Sequence, residues 1–144
     1  MTPTIARDEL LVAEPAPLSY DAPPADILDR AADLLLANGR FPGNYWHNAH
    51  QARWYPGTPC CTAASIGIAM GRTRHADVEA WVVPCVTAPA TGDEPPHPAF
   101  AALMRHLGVG SVNDVFAWSD EHEAGEIATE LRRCAAKLRI EAAA

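Results

Sequence analysis

Cys60 and Cys61 stand side by side in the stretch Gly57-Thr-Pro-Cys-Cys-Thr-Ala-Ala-Ser-Ile-Gly-Ile-Ala-Met-Gly71, and of all the residues in the chain they are the best suited to covalent chemistry. Thr58 has the character of a helix N-cap, and Pro59 that of a first helical residue, where a missing N–H costs nothing. On that reading both thiols fall in the first turn. Unpaired backbone N–H groups and the positive end of the helix dipole there favour thiolate. A thiolate nucleophile also needs a base and a group that orients the base. His47, His50, His97, His106 and His122 are candidate bases and Asp120 a candidate orienter, with His47 and His50 nearest to the cysteines in sequence. Spacing alone does not choose among the five histidines. A zinc centre of His47, His50, Cys60 and Cys61 is conceivable, but adjacent cysteines match no recurrent structural-zinc spacing, so no metal is expected. The competing reading is architectural: free cysteine is among the most buried residue types, and these two would then be inert core thiols. That reading carries more weight, because short motif matches often arise by chance.

Several elements must position these residues. Cys60, Ala63, Ala64, Gly67 and Gly71 recur at helical spacing, leaving one face without bulk, while Ile66, Ile68 and Met70 fill the others. This predicts a central small-residue helix buried nearly all round. Before it, Ile27, Leu28, Ala31, Leu34 and Leu35 form one helical stripe, predicting a helix over 25–38 that ends at a left-handed Asn38-Gly39 cap. Residues 40–56 are dense in aromatics between Pro42-Gly43 and Pro56-Gly57, which predicts an ordered loop or short hairpin over the core. Residues 78–86 fit helix or strand equally well, and 87–98 are loop by composition. Pro98 opens a short helix carrying Phe100, Leu103, Met104 and Leu107, and Val112 to Trp118 is a second short apolar piece. The last helix, over 121–140, carries Ile127, Leu131, Cys134, Ala135 and Leu138, with Asp120 and Glu123 in a capping arrangement. Its acids gather at the start and its bases at the end, as the dipole prefers.

At 144 residues the chain suits one domain with a real core. The fold class expected is mainly α: a single compact domain of four to five helices over 25–140, preceded by a disordered Pro-rich arm over 1–24. A net charge of −7 disfavours general nucleic-acid or anionic-membrane binding, and Arg132, Arg133, Lys137 and Arg139 are balanced by neighbouring acids. No secretory signal or apolar run of membrane-spanning length is visible, so the cytoplasm is the expected location and the four cysteines are expected as thiols.

The motifs Ala31-Ala-Asp-Leu-Leu to Gly39, Cys61-Thr-Ala-Ala-Ser and Trp118-Ser-Asp120, taken in this order, resemble a family of small uncharacterised domains of high-GC Gram-positive bacteria and their phages. The resemblance spans about residues 25–138 and implies the helical fold, with no activity attached. No phosphate loop, nucleophile elbow or cofactor motif is present, so no cofactor is expected. The function expected is therefore a non-enzymatic interaction or regulatory module with a protein partner or a second copy of itself. The alternative is a thiol-dependent hydrolase or transferase with its nucleophile at a helix N-terminus.

Overall fold

The computed structural model describes residues 18, 19, 21–41, 46, 54, 55, 57–74 and 97–144. Among them are five helices: α1 (Pro24–Asn38), α2 (Thr62–Ala69), α3 (Pro98–Leu107), α4 (Val112–Asp120) and α5 (Ala124–Ala143). The protein is mainly helical, as its periodicities predict.

The apolar stripe of α1 dictates the architecture. Pro24 occupies the first position, and Ile27, Leu28, Ala31, Ala32, Leu34 and Leu35 are buried. Burying one Leu or Ile side chain stabilises by about 1.5–3 kcal/mol, so a stripe of this size has to find a partner face. The partner is α5, whose Ile127, Ala128, Leu131, Cys134 and Ala135 are buried in return. The two helices run antiparallel. Arg139 near the end of α5 meets Asp26 at the start of α1, and Arg132 meets Asp33 farther along. Helices α2 and α3 also pack on α1, and α4 packs on α2. Phe100 and Leu103 bring α3 into the same core, and Val115 brings α4.

Helix α2 is buried along all eight of its residues, Thr62 to Ala69. Its small side chains let other elements approach closely, as its composition predicts. The long α5 nevertheless lies along α1 rather than chiefly along α2. Trp46 and Trp54 are both buried, so the aromatic segment contributes side chains to the core. Leu18 and Ala22 also pack against the core, and the Leu18 N–H donates to the Ala69 carbonyl at 3.1 Å. No helix among the described residues is long and apolar enough to cross a membrane.

Three sequence expectations are corrected. First, α2 begins at Thr62, with Cys61 as its N-cap. Thr58 is not the N-cap of α2, because Cys60 is drawn into isolated bridges with Arg40 (parallel) and Trp46 (antiparallel), which hold the chain extended. Second, Asp120 is the last residue of α4 and does not cap α5. The cap of α5 is Glu123, with the Glu126 carboxylate reaching back to the Glu123 N–H at 3.0 Å. Third, Gly39 ends α1 at φ 91° and ψ 167°, outside the left-handed helical region. That extended backbone lets its carbonyl accept the Cys60 N–H at 3.2 Å. The histidines His47 and His50, the ambiguous run 78–86 and residues 1–17 of the arm lie outside the described residues.

Candidate functional site

The cysteine pair sits at the seam between the Gly39–Phe41 strand-like piece and α2. Cys60 is fully buried and its backbone is paired on both sides, the N–H to Gly39 and the carbonyl to the Phe41 N–H at 3.0 Å. Burial pushes the Cys60 thiol well above its ordinary pKa, and the neighbouring Cys61 adds to the rise. This is the reverse of the thiolate that a first-turn position would favour. Cys61 is 1% exposed, and its Sγ accepts the Ala64 N–H at 3.4 Å, taking the role usually given to a cap hydroxyl. Beside it, the hydroxyls of Thr62 and Ser119 share a hydrogen bond of 2.7 Å that pins the end of α4 to the start of α2. All three described cysteines, Cys60, Cys61 and Cys134, are buried thiols.

The remaining sequence candidates are placed elsewhere. Asp120 is exposed at the end of α4, and its backbone carbonyl accepts from Arg40 Nη1 at 3.5 Å. His97 is buried as the N-cap of α3, where its Nδ1 accepts the Ala99 N–H at 3.0 Å. His106 and His122 line a cleft whose lining includes neither cysteine.

That cleft, of about 450 Å³, is formed by three helices. His106 and Leu107 come from the end of α3, Trp118 from α4, His122 from the link, and Glu126, Thr129 and Glu130 from α5. The α5 residues recur at spacings of three and four and therefore share one helix face. His122 is tied to the same corner: its Nδ1 meets the Trp118 carbonyl at 2.7 Å, and the two rings lie 4.9 Å apart.

Hydrogen-bonding rules assign the protons of both rings. A carbonyl oxygen can only accept, so His122 carries a proton on Nδ1. The Lys137 ammonium can only donate, so His106 Nδ1, at 3.2 Å from it, accepts. His106 then donates from Nε2 to the Glu130 carboxylate at 2.9 Å. That bond, ahead of the nearby Arg133, holds the Glu130 carboxyl below its ordinary pKa against the opposing effect of partial burial.

Charge is distributed unevenly over the surface. The bases of α5 are engaged: Arg132 with Asp29 and Asp33, Arg133 with Glu130, and Arg139 with Asp26 and Asp29. The acids around the α4–α5 junction are not balanced in this way. Asp114, Asp120 and Glu121 are exposed, with no cation in salt-bridge range among the described residues, and Glu123 reaches Arg40 only at 3.7 Å. No group of three or more His, Cys, Asp or Glu among the described residues could hold a metal ion.

Glu126, Thr129 and Glu130 were not legible as site residues, because on a helix such residues ordinarily form a solvated face. The available signal was their continuation of the helical spacing from His122, four residues before Glu126, onto one polar face. Residues 19–137 match the family model described as "Family of unknown function (DUF6197)". No curated protein and no solved structure matches the chain.

Proposed function

The chain belongs to this family of unknown function, and we propose that it acts as a non-enzymatic interaction module that engages a protein partner through the acidic surface where α4 meets α5. The observation that carries this reading is the imbalance of charge: the α5 arginines Arg132, Arg133 and Arg139 are spent on internal pairs, while the carboxylates of Asp114, Asp120 and Glu121 are exposed and in no salt bridge among the described residues. An uncompensated patch of one sign steers and selects a partner of the other. The same distribution disfavours nucleic acid, which needs accessible Lys and Arg. Self-association through the small-residue face has little support, since every residue of α2 is buried within the chain. The thiols suit the cytoplasm, where reductants keep them reduced. High-GC Gram-positive bacteria, the proposed source of such domains, are the hosts in which the partner is sought.

The test is affinity capture from such a host with the wild-type chain and with an Asp120→Lys/Glu121→Lys variant. A stoichiometric protein retained by the first and released by the second is expected. Alkylation of Cys60 or Cys61 in the folded protein at the rate of an exposed thiolate would overturn the reading in favour of a thiol-dependent hydrolase or transferase.

A further inference from the structure

We infer that the cleft between α3, α4 and α5 is the pocket for an arginine side chain of that protein partner. The inference rests on the interaction-module reading and gives its partner a chemistry.

The first argument is the hydrogen-bonding capacity the cleft has left. The donors of His106, His122 and Thr129 are used internally. His122 donates from Nδ1 to the Trp118 carbonyl, His106 from Nε2 to Glu130, and the Thr129 hydroxyl to the Gly125 carbonyl at 2.9 Å. With the Trp118 indole N–H set aside, the side chains of the cleft now offer acceptors: the carboxylate oxygens of Glu126 and Glu130, the Thr129 oxygen and the Nε2 of His122. A fitting ligand is therefore rich in donors.

The second argument is charge. Both carboxylates lie on one face of α5 one turn apart, and Glu130 is held in its ionised form by His106. Arg133, and Lys137 beyond His106, offset part of the Glu130 charge, but Glu126 is exposed and its carboxylate accepts from a backbone N–H. The pocket thus favours a cation. Asp120 and Glu121, on the same α4–α5 corner, extend the attraction beyond the cleft itself.

The third argument is shape and surface. Trp118 and Leu107 supply aromatic and apolar wall, and both are partly buried in the core. Arginine combines a planar fork of five donors with a cation that stacks on aromatic rings, and its stem lies along apolar surface. Lysine has the charge without the planar fork.

The experiment titrates the full-length protein at low salt with a short arginine-containing peptide and with the same peptide carrying neutral citrulline or lysine at that position. Binding is followed by calorimetry and by tryptophan fluorescence. The arginine peptide is expected to bind about tenfold more tightly than the citrulline one, the worth of roughly one charged hydrogen bond. Glu126→Gln keeps an oxygen to accept the Glu123 N–H, so α5 stays capped while the charge is lost. This variant is expected to keep its urea midpoint and to lose about tenfold in arginine affinity. Trp118→Phe is expected to abolish the fluorescence change. Equal binding of the arginine and citrulline peptides, no binding of either, or an unaltered Glu126→Gln affinity would overturn the arginine pocket. A lysine peptide bound as tightly as arginine would overturn it also. If Glu126→Gln still captures the protein partner while the peptides fail, the interaction surface stands and only the pocket assignment falls.

Discussion

The side-chain oxygens of Thr62 and Ser119 lie 2.7 Å apart, and both residues are buried, so one hydroxyl donates to the other across 57 positions of sequence. Replacing one partner strands the other away from water. Thr62→Val or Ser119→Ala is expected to lower the unfolding free energy by about 1–3 kcal/mol, the cost of an unsatisfied buried hydroxyl. The double variant is expected to lose less than the sum of the two, and urea unfolding of all four proteins gives this coupling directly.

Glu130 makes stability depend on acidity. Its folded pKa lies below its unfolded value, chiefly through the hydrogen bond from His106. Its contribution is therefore fully present above the unfolded carboxylate pKa of about 4.3 and is lost as pH falls through the lower folded value. Glu130→Gln is expected to be less stable than wild type at neutral pH and equal to it in strong acid. The difference is modest, because the carboxylate is 28% exposed and water screens it. Thermal melts from neutral to acid pH should show the two curves converging.

The ion pairs between α1 and α5 respond to salt. Arg132 spans Asp29 and Asp33, and Arg139 spans Asp26 and Asp29, all at partly exposed positions. Hydrogen bonds to Asp26 and Asp29 hold the Arg139 guanidinium pKa above its ordinary value. Arg132→Ala is expected to lower Tm by a few degrees at low ionic strength, and the gap should narrow toward about 1 M salt, where the screening length is about 3 Å. A gap unchanged by salt would assign the effect to lost packing of the arginine stem.

Gly39 sits at φ 91° and ψ 167°, a region that side chains avoid. Among the described residues a Cβ there would meet Pro59 alone, at an ordinary 3.8 Å, so the cost of Gly39→Ala is backbone strain and not a clash with them. A loss of about 1–3 kcal/mol is expected, read from the shift of the urea midpoint at constant slope.

How far the chain was legible depends on where its information lies. Helices α1, α3 and α5 announce themselves through local spacing: Ile27 to Leu35, Phe100 to Leu107 and Ile127 to Leu138 each mark a face that must be buried. The start of α2 was misplaced because the deciding contact is tertiary. Cys60 pairs with Gly39 and Phe41, some twenty residues upstream, and the cap is a thiol, where hydroxyl and amide caps are the rule. Asp120 and Glu123 show the same limit at smaller scale. Both are plausible caps, and only the actual end of α4 selects Glu123. The cleft was illegible as a unit. It joins residues from three helices by packing, and two of the five candidate histidines line it, His106 bonded to Glu130 of α5 and His122 to the Trp118 carbonyl of α4.

The antiparallel pairing of α1 with α5 also bears on how the chain folds as it is made. Asp26 and Arg139, 113 positions apart, belong to the same seam, and the stripe from Ile27 to Leu35 finds its main cover only in α5. Each such long-range closure slows folding, because chain entropy is lost before contact repays it. A ribosome making this protein leaves α1 without its main cover until α5 has left the exit tunnel, with only α2 and α3 to pack on it before then. Premature termination before Ile127 is therefore expected to leave part of the Ile27–Leu35 stripe exposed and prone to aggregation.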